Sequence, residues 1–203
     1  MALRVLQLVS MNNALCDAQV SLPVQPDEQD LLAGMIEHAA ALQPLCETSA
    51  AVRALLAHIA AGSPFLTGLV RRYPEFAVEA LTIPPDRLIA DLCGRLETDV
   101  ASAPSQADLK RVLRIARNHA ALLIALADIA GCWSCEQVTR ALTRFADVAV
   151  AGAVNWLLEE AVEAGKLTPQ AGHDASDGYT VLAMGKHGAG ELNYSSDIDL
   201  IVL

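Results

Sequence analysis

The sequence predicts a mainly α protein in which a helical region is followed by the start of an α/β domain that stops inside its second strand. Three observations carry this. Apolar residues recur at helical spacing from residue 27 to about residue 165. Hydrophobic residues make up 53% of the 203 residues but aromatics only 4%, the composition of packed Ala/Leu/Val-rich helices. Two short β-favouring runs, the first of them bounded by Gly178 and Gly185, occur only after residue 178. The expected organisation is an N-terminal extension (1–26), a helical region (27–165), a linker (166–178) and the beginning of the α/β domain (179–203).

The elements follow in order. Leu31, Leu32, Met35, Ile36, Ala39 and Leu42 fall on one helical face, with Asp27 after Pro26 as the expected cap and Pro44 as the expected end. Val52, Leu55, Leu56 and Ile59 form the next stripe, ended by Gly62. Ser63-Pro64 supplies a cap and a first-turn proline for a short third helix to Val70, which Pro74 is expected to end. After Pro84-Pro85-Asp86, a fourth stripe comprises Leu88, Ile89, Leu92, Leu96 and Val100. Pro104-Ser105 opens a fifth helix whose face holds Leu109, Val112, Leu113, Ala116, Ala120 and Leu123. Ser134 with Gln137 reads as a capping box, and Trp133 against Val138 as a hydrophobic staple, for a sixth helix through Leu142, Phe145, Ala149, Gly152 and Trp156 to Gly165. Beyond the polar linker, residues 179–184 and 197–203 read as strands. Two strands alone make no stable sheet, so the expectation is the N-terminal piece of a longer polypeptide.

Charge and cysteines narrow the class of function. Fourteen Lys and Arg against 24 Asp and Glu give a net charge of −10, which argues against a broad grip on nucleic acid. Five irregularly spaced cysteines (Cys16, Cys46, Cys93, Cys132, Cys135) fit a reducing cytoplasm. Arg4 and Gln7 interrupt the apolar start, and no lipoprotein site surrounds Cys16, so neither a signal peptide nor an anchor is expected. The longest unbroken apolar run, 120–127, falls short of the roughly 20 residues that span a bilayer, so no membrane partner is expected.

The chemistry concentrates in Gly185-Lys186-His187-Gly188-Ala189-Gly190-Glu191-Leu192-Asn193-Tyr194-Ser195-Ser196-Asp197-Ile198-Asp199-Leu200. On a strand alternate side chains share a face, so Asp197 and Asp199 stand side by side while Ile198 and Leu200 turn to a core. Paired carboxylates hold Mg²⁺. The glycines let backbone N–H groups approach phosphate oxygens, and Lys186, Ser195 and Ser196 add a positive charge and hydroxyl donors. Strand, glycine turn, serine and Asp-x-Asp together form a layout for phosphoryl or nucleotidyl transfer.

This layout resembles the nucleotidyltransferase superfamily that includes DNA polymerase beta, whose signature is Gly-Ser, about ten residues, then Asp-x-Asp. Ten residues, 187–196, separate Lys186 from Asp197. Lysine stands in place of the signature serine. The form Gly-Lys-x-Gly-x-x-Glu-Leu-Asn-Tyr-Ser-Ser-Asp-Ile-Asp-Leu resembles one narrower family, the glutamine synthetase adenylyltransferases/adenylyl-removing enzymes, with Ala189 where many members have a second glycine. Looser similarity covers Ser63-Pro64-Phe65-Leu66, Arg71-Arg72-Tyr73-Pro74, Leu113-Arg114, Asp128-Ile129-Ala130-Gly131 and Val138-Thr139.

The resemblance implies a nucleotidyltransferase α/β domain and, from its position in the chain, the N-terminal adenylyl-removing half. There inorganic phosphate attacks adenylyl-tyrosine of glutamine synthetase and ADP leaves. It implies Asp197 and Asp199 as catalytic metal ligands for Mg²⁺, and Gly185, Lys186, Gly188, Ser195 and Ser196 as nucleotide and phosphate contacts. It also implies ATP or ADP, inorganic phosphate and glutamine synthetase as ligands and protein substrate, with a PII-type signalling protein as regulator. A third carboxylate is expected beyond Leu203, so the fragment alone is expected to be inactive. A rival class, a helical docking module with a degenerate nucleotidyltransferase core, is opposed by the intact Asp-x-Asp. A small-molecule nucleotidyltransferase would carry Gly-Ser at Gly185-Lys186.

Other features read as structural. Cys132-Trp133-Ser134-Cys135 lacks the second pair a zinc site needs, and the Lys110, Arg114 and Arg117 stripe reads as a solvated helix face. His38, His58 and His119 read as packing or surface residues. His187 receives no catalytic role, and Glu191 caps the loop or faces solvent.

Overall fold

The computed structural model describes Leu15 and residues 24–169 and 172–203. The expectations for residues 1–14 and for Cys16 lie outside the described residues. The chain divides into two compact units: residues 1–90 with 118–135, and residues 91–117 with 136–203.

In the first unit, helix α1 (Pro26–Ile36) is followed by a 3-10 turn (Ala40–Leu42) and by α2 (Gln43–Thr48), α3 (Ala50–Gly62), α4 (Pro64–Arg72) and α5 (Pro74–Thr82). Three details differ from expectation. The cap of α1 is Gln25, whose N–H donates to the Glu28 carboxylate at 2.8 Å, and Asp27 lies inside the first turn. That backbone hydrogen bond holds the Glu28 carboxyl below its ordinary pKa, with His58 adding to the effect at 3.2 Å. Leu31, expected on the buried face, is 48% exposed, while Leu32, Met35, Ala39 and Leu42 are buried.

Proline accounts for the third difference. Pro44 and Pro74, expected to close helices, each stand in the first turn of a new one. A proline lacks only an N–H that a helix start leaves unbonded anyway, so a helix can end and another begin across it. Ser63 works both ends of such a junction. Its N–H donates to Ile59 O at 2.9 Å, and its Oγ accepts from Leu66 N at 3.2 Å.

Helix α6 (Pro85–Ala101) and helix α7 (Gln106–Ile129) each contribute to both units. All five residues of the expected α6 stripe are buried. Ser105 caps α7 through a reciprocal pair, its Oγ donating to Asp108 at 2.7 Å and accepting from Asp108 N at 3.2 Å, which holds the Asp108 carboxyl below its usual range. In the first unit the later half of α7 is buried nearly all round, from Leu122 to Ala127, as a central helix must be. There His119 stacks on Phe76 with ring centroids 4.0 Å apart and meets Tyr73 edge-on at 4.7 Å.

Helix α8 (Cys135–Glu163) belongs to the second unit from Glu136 onward. Trp133 and Val138, the expected staple, are both buried. In the second unit, Val100 Cγ1 would stand 3.1 Å from a Cβ added at Gly152, so glycine permits the close passage of α8 over α6. Trp156 anchors the same region by donating Nε1–H to Ala103 O at 2.9 Å. The helix ends at Gly165, whose φ of +67° lets the Lys166 N–H return to Ala161 O at 2.8 Å. Its 29 residues include an 18-residue window of mean hydropathy 1.2, 11% of it buried, so α8 has the length and composition to cross a membrane. The unbroken-run criterion missed this because Arg144 and Asp147 interrupt it. A core helix of a water-soluble protein passes the same test.

The sheet has strands β1 (Val181–Ala183) and β2 (Leu200–Val202), antiparallel, with Val181 opposite Val202, Leu182 opposite Ile201 and Ala183 opposite Leu200. Both strands are shorter than the expected 179–184 and 197–203. Bonds between Thr180 and Leu203, and from Met184 N to Asp199 O at 2.9 Å, carry the pairing one step beyond each end. A single helical turn, α9 (Gly185–Gly188), follows β1 where a glycine loop was expected.

Candidate functional site

The site is built on the turn after β1 and the approach to β2. Gly185 has φ +55°, a left-handed conformation that glycine adopts without strain, and a Cβ there would stand 3.6 Å from Asp199 Oδ2. The Asp199 carboxylate thus lies beside the start of the turn. Gly188 is required for a different reason: any Cβ would collide with the Ala183 carbonyl, so the backbone passes where no side chain fits. Hydrogen bonds close the turn, from Gly188 N to Met184 O (3.0 Å), Ala189 N to Gly185 O (3.1 Å), Gly190 N to His187 O (3.0 Å) and Glu191 N to Lys186 O (2.7 Å).

The two carboxylates sit just before β2 and not within the strand itself. The register places Asp199 opposite Met184, on the sheet face shared by Leu182 and Ile201. Leu200 lies on the other face and lines a cavity of about 250 Å³ with Val150, Val154, Val181 and Ala183. Ile198 and Leu200 were expected to turn to a core, yet they are 44% and 39% exposed. Among the residues from 179 to 203, only His187 and Leu192 are buried.

The serines belong to a second turn. Asn193 Oδ1 accepts from Ser195 N (3.1 Å) and Ser196 Oγ (2.9 Å), and Asn193 N donates back to Ser196 Oγ at 3.1 Å. The Ser196 hydroxyl is therefore committed to the turn that delivers Asp197, while the Ser195 side chain is exposed. Lys186 is exposed at the middle of the glycine turn.

Oxygen donors alone face solvent at Asp197 and Asp199, and neither carboxylate is hydrogen-bonded or ion-paired among the described residues. No cluster of three or more His, Cys, Asp or Glu able to hold a metal occurs among those residues. Magnesium is commonly held by one or two carboxylates together with substrate phosphates and water, so this pair fits it.

Sequence reasoning missed one participant. His187 is buried in the turn, its Nε2 2.8 Å from Asp147 Oδ1 on α8. The two positions lie 40 residues apart, so local spacing carried no signal of the pair.

Comparison with known proteins places these residues in context. A family model described as Glutamate-ammonia ligase adenylyltransferase matches residues 53–203. The chain is 46% identical over 169 residues to the bifunctional glutamine synthetase adenylyltransferase/adenylyl-removing enzyme of Xanthobacter autotrophicus, covering 81% of this chain and 17% of that protein. It is 47% identical over 152 residues to the protein of that name from Bradyrhizobium sp. strain BTAi1 (74% of this chain, 15% of that protein). With the Rhodopseudomonas palustris strain CGA009 protein it shares 42% identity over 168 residues (82% and 17%). The chain thus spans about one sixth of the length of the curated relatives it matches. No solved structure matches it.

Proposed function

We propose, from the premise that this chain belongs to the Glutamate-ammonia ligase adenylyltransferase family, that residues 179–203 carry phosphate- and metal-handling groups of the adenylyl-removing reaction on glutamine synthetase. The observation that carries the reading is the Asp199 carboxylate lying beside the left-handed Gly185 at the start of the turn. Inorganic phosphate is the attacking group, ADP the product, and a free tyrosine the leaving side.

In this reading Asp197 and Asp199 hold Mg²⁺, which when bound neutralises phosphate charge and orients attacking and leaving oxygens. Lys186 offers its ammonium to a phosphate oxygen from the exposed middle of the turn. Gly185 keeps the start of the turn clear of a side chain, so phosphate can approach the main-chain N–H groups there, while Gly188 lets the turn pass close to the Ala183 carbonyl. Asn193 holds Ser195 and Ser196 in the turn that presents Asp197. A further carboxylate comes from outside these 203 residues, and a regulatory protein of PII type acts on the longer polypeptide. Cytoplasmic residence belongs to the same proposal and rests on the cysteine spacing.

The test is a graft in which residues 24–203 replace the matching segment of the Xanthobacter autotrophicus relative. ADP release from adenylylated glutamine synthetase and inorganic phosphate is assayed beside the adding reaction. The expected result is ADP release that Asp197→Asn abolishes while adenylylation persists. A graft that adds AMP but never removes it, with either residue at position 197, overturns the reading in favour of a non-catalytic docking module.

A further inference from the structure

Among the described residues, His187 is the single buried side chain that is not apolar, with 4% exposure. Burying an imidazole is costly unless its nitrogens are hydrogen-bonded, so an apolar residue would fill this space more cheaply. The histidine instead reaches Asp147 at 2.8 Å, an acceptor that requires the proton on Nε2. Its Nδ1 has no hydrogen-bond partner among the described residues, so the whole polar return on this burial comes through one bond.

That bond differs in kind from the others that hold the turn. Gly188 N to Met184 O and Met184 N to Asp199 O tie the turn to its own two strands. Both strands present exposed apolar residues, so backbone pairing alone leaves the assembly lightly held. The His187 bond runs instead from the turn to α8. A long helix is a better reference frame than a two-stranded ribbon for holding a site in register.

We propose that His187 is a positioning residue: through Asp147 it pins the glycine turn to α8, and so sets where Lys186 and the turn's N–H groups stand relative to Asp199. The functional consequence rests on the phosphate-handling reading of this turn. The pin itself is a property of the fold and is measured separately.

Hydrogen exchange on the 203-residue chain reads the pin at the amides of Gly188, Ala189, Gly190 and Glu191. His187→Leu and Asp147→Ala are expected to speed exchange there on the order of ten- to a hundredfold, the range for losing a hydrogen bond to a charged group. The α3 amides stay unchanged and report that the variants fold. His187→Gln, which keeps a donor at the ε position, is expected to restore most of the protection. Exchange in His187→Leu at the native rate, or no better protection with glutamine than with leucine, overturns the proposal, because either result makes the histidine a space-filler.

In the graft, His187→Leu is expected to raise the KM for inorganic phosphate more than it lowers kcat, and His187→Gln to recover it. An unchanged KM beside a lost pin overturns the functional half. A native graft that releases no ADP would instead sink the proposed function, with the exchange result still deciding the pin.

Discussion

The helices of the first unit and the strand segment 179–203 solve the problem of stability in opposite ways. In α3 every residue of the expected stripe is buried, and the later half of α7 is enclosed on nearly all sides. In the strand segment Leu182, Met184, Ile198, Leu200, Ile201 and Val202 are all more than a third exposed. The helical region is held by apolar area removed from water, at roughly 25 cal/mol per Å². The strand segment buries only Leu192 among its apolar side chains and relies otherwise on ladder bonds, a close glycine passage and a histidine–carboxylate pair. The same apolar residue types thus carry different weights in the two regions, and the proposed phosphate- and metal-handling groups lie on the lightly held one. That pairing suits a site assembled from few, geometrically demanding parts.

The comparison breaks most readily at the core. Leu56→Ala and Leu123→Ala, at fully buried positions, are each expected to cost about 2–5 kcal/mol in denaturant unfolding of the chain. A loss as small as that of a surface change would remove the contrast. Gly188→Ala is the counterpart in the strand segment. Its new methyl group meets the Ala183 carbonyl, so a cost of roughly 1–3 kcal/mol is expected, with accelerated exchange confined to the turn. Ser63→Ala removes the acceptor of Leu66 N and is expected to cost about 1 kcal/mol in the same unfolding measurement.

Smaller still is Leu182→Ala on the exposed sheet face, where a change within about 0.5 kcal/mol is expected. A loss of several kcal/mol there would show that this face is covered in solution. The last contrast is in pH. Burial pushes the thiols of Cys46, Cys93 and Cys132 above the ordinary value of 9.0. Because the folded value is raised, the stabilisation is fully present below pH 9 and fades as pH climbs through the folded value. Thermal unfolding between pH 8 and the alkaline limit, set at about 11 to span the thiol range, should show that decline. Exposed Cys135 should be the first of the four described thiols to be alkylated.

Much of the helical region was legible because helix periodicity and burial report the same thing. Val52, Leu55, Leu56 and Ile59 were read from spacing alone, as was the whole α6 stripe. Prolines were misread where they stand between helices, since Pro44 and Pro74 signal a stop and a start with the same chemistry. In the strand segment the motif was legible as chemistry but not as packing. Alternation correctly separates the faces of Asp199 and Leu200, yet it cannot say whether either face is covered. The His187–Asp147 pair was out of reach because it depends on how α8 lies beside the turn, which no local pattern encodes.

The most direct test puts both regions in one experiment on the graft, comparing Leu56→Ala with Asp199→Asn for unfolding midpoint and for ADP release per folded molecule. The account predicts a crossing: Leu56→Ala lowers the midpoint and leaves release intact, while Asp199→Asn leaves the midpoint in place and takes release to background. An Asp199→Asn graft that still releases ADP, or one that loses it only by unfolding, would contradict the assignment of chemistry to the strand segment and stability to the helices.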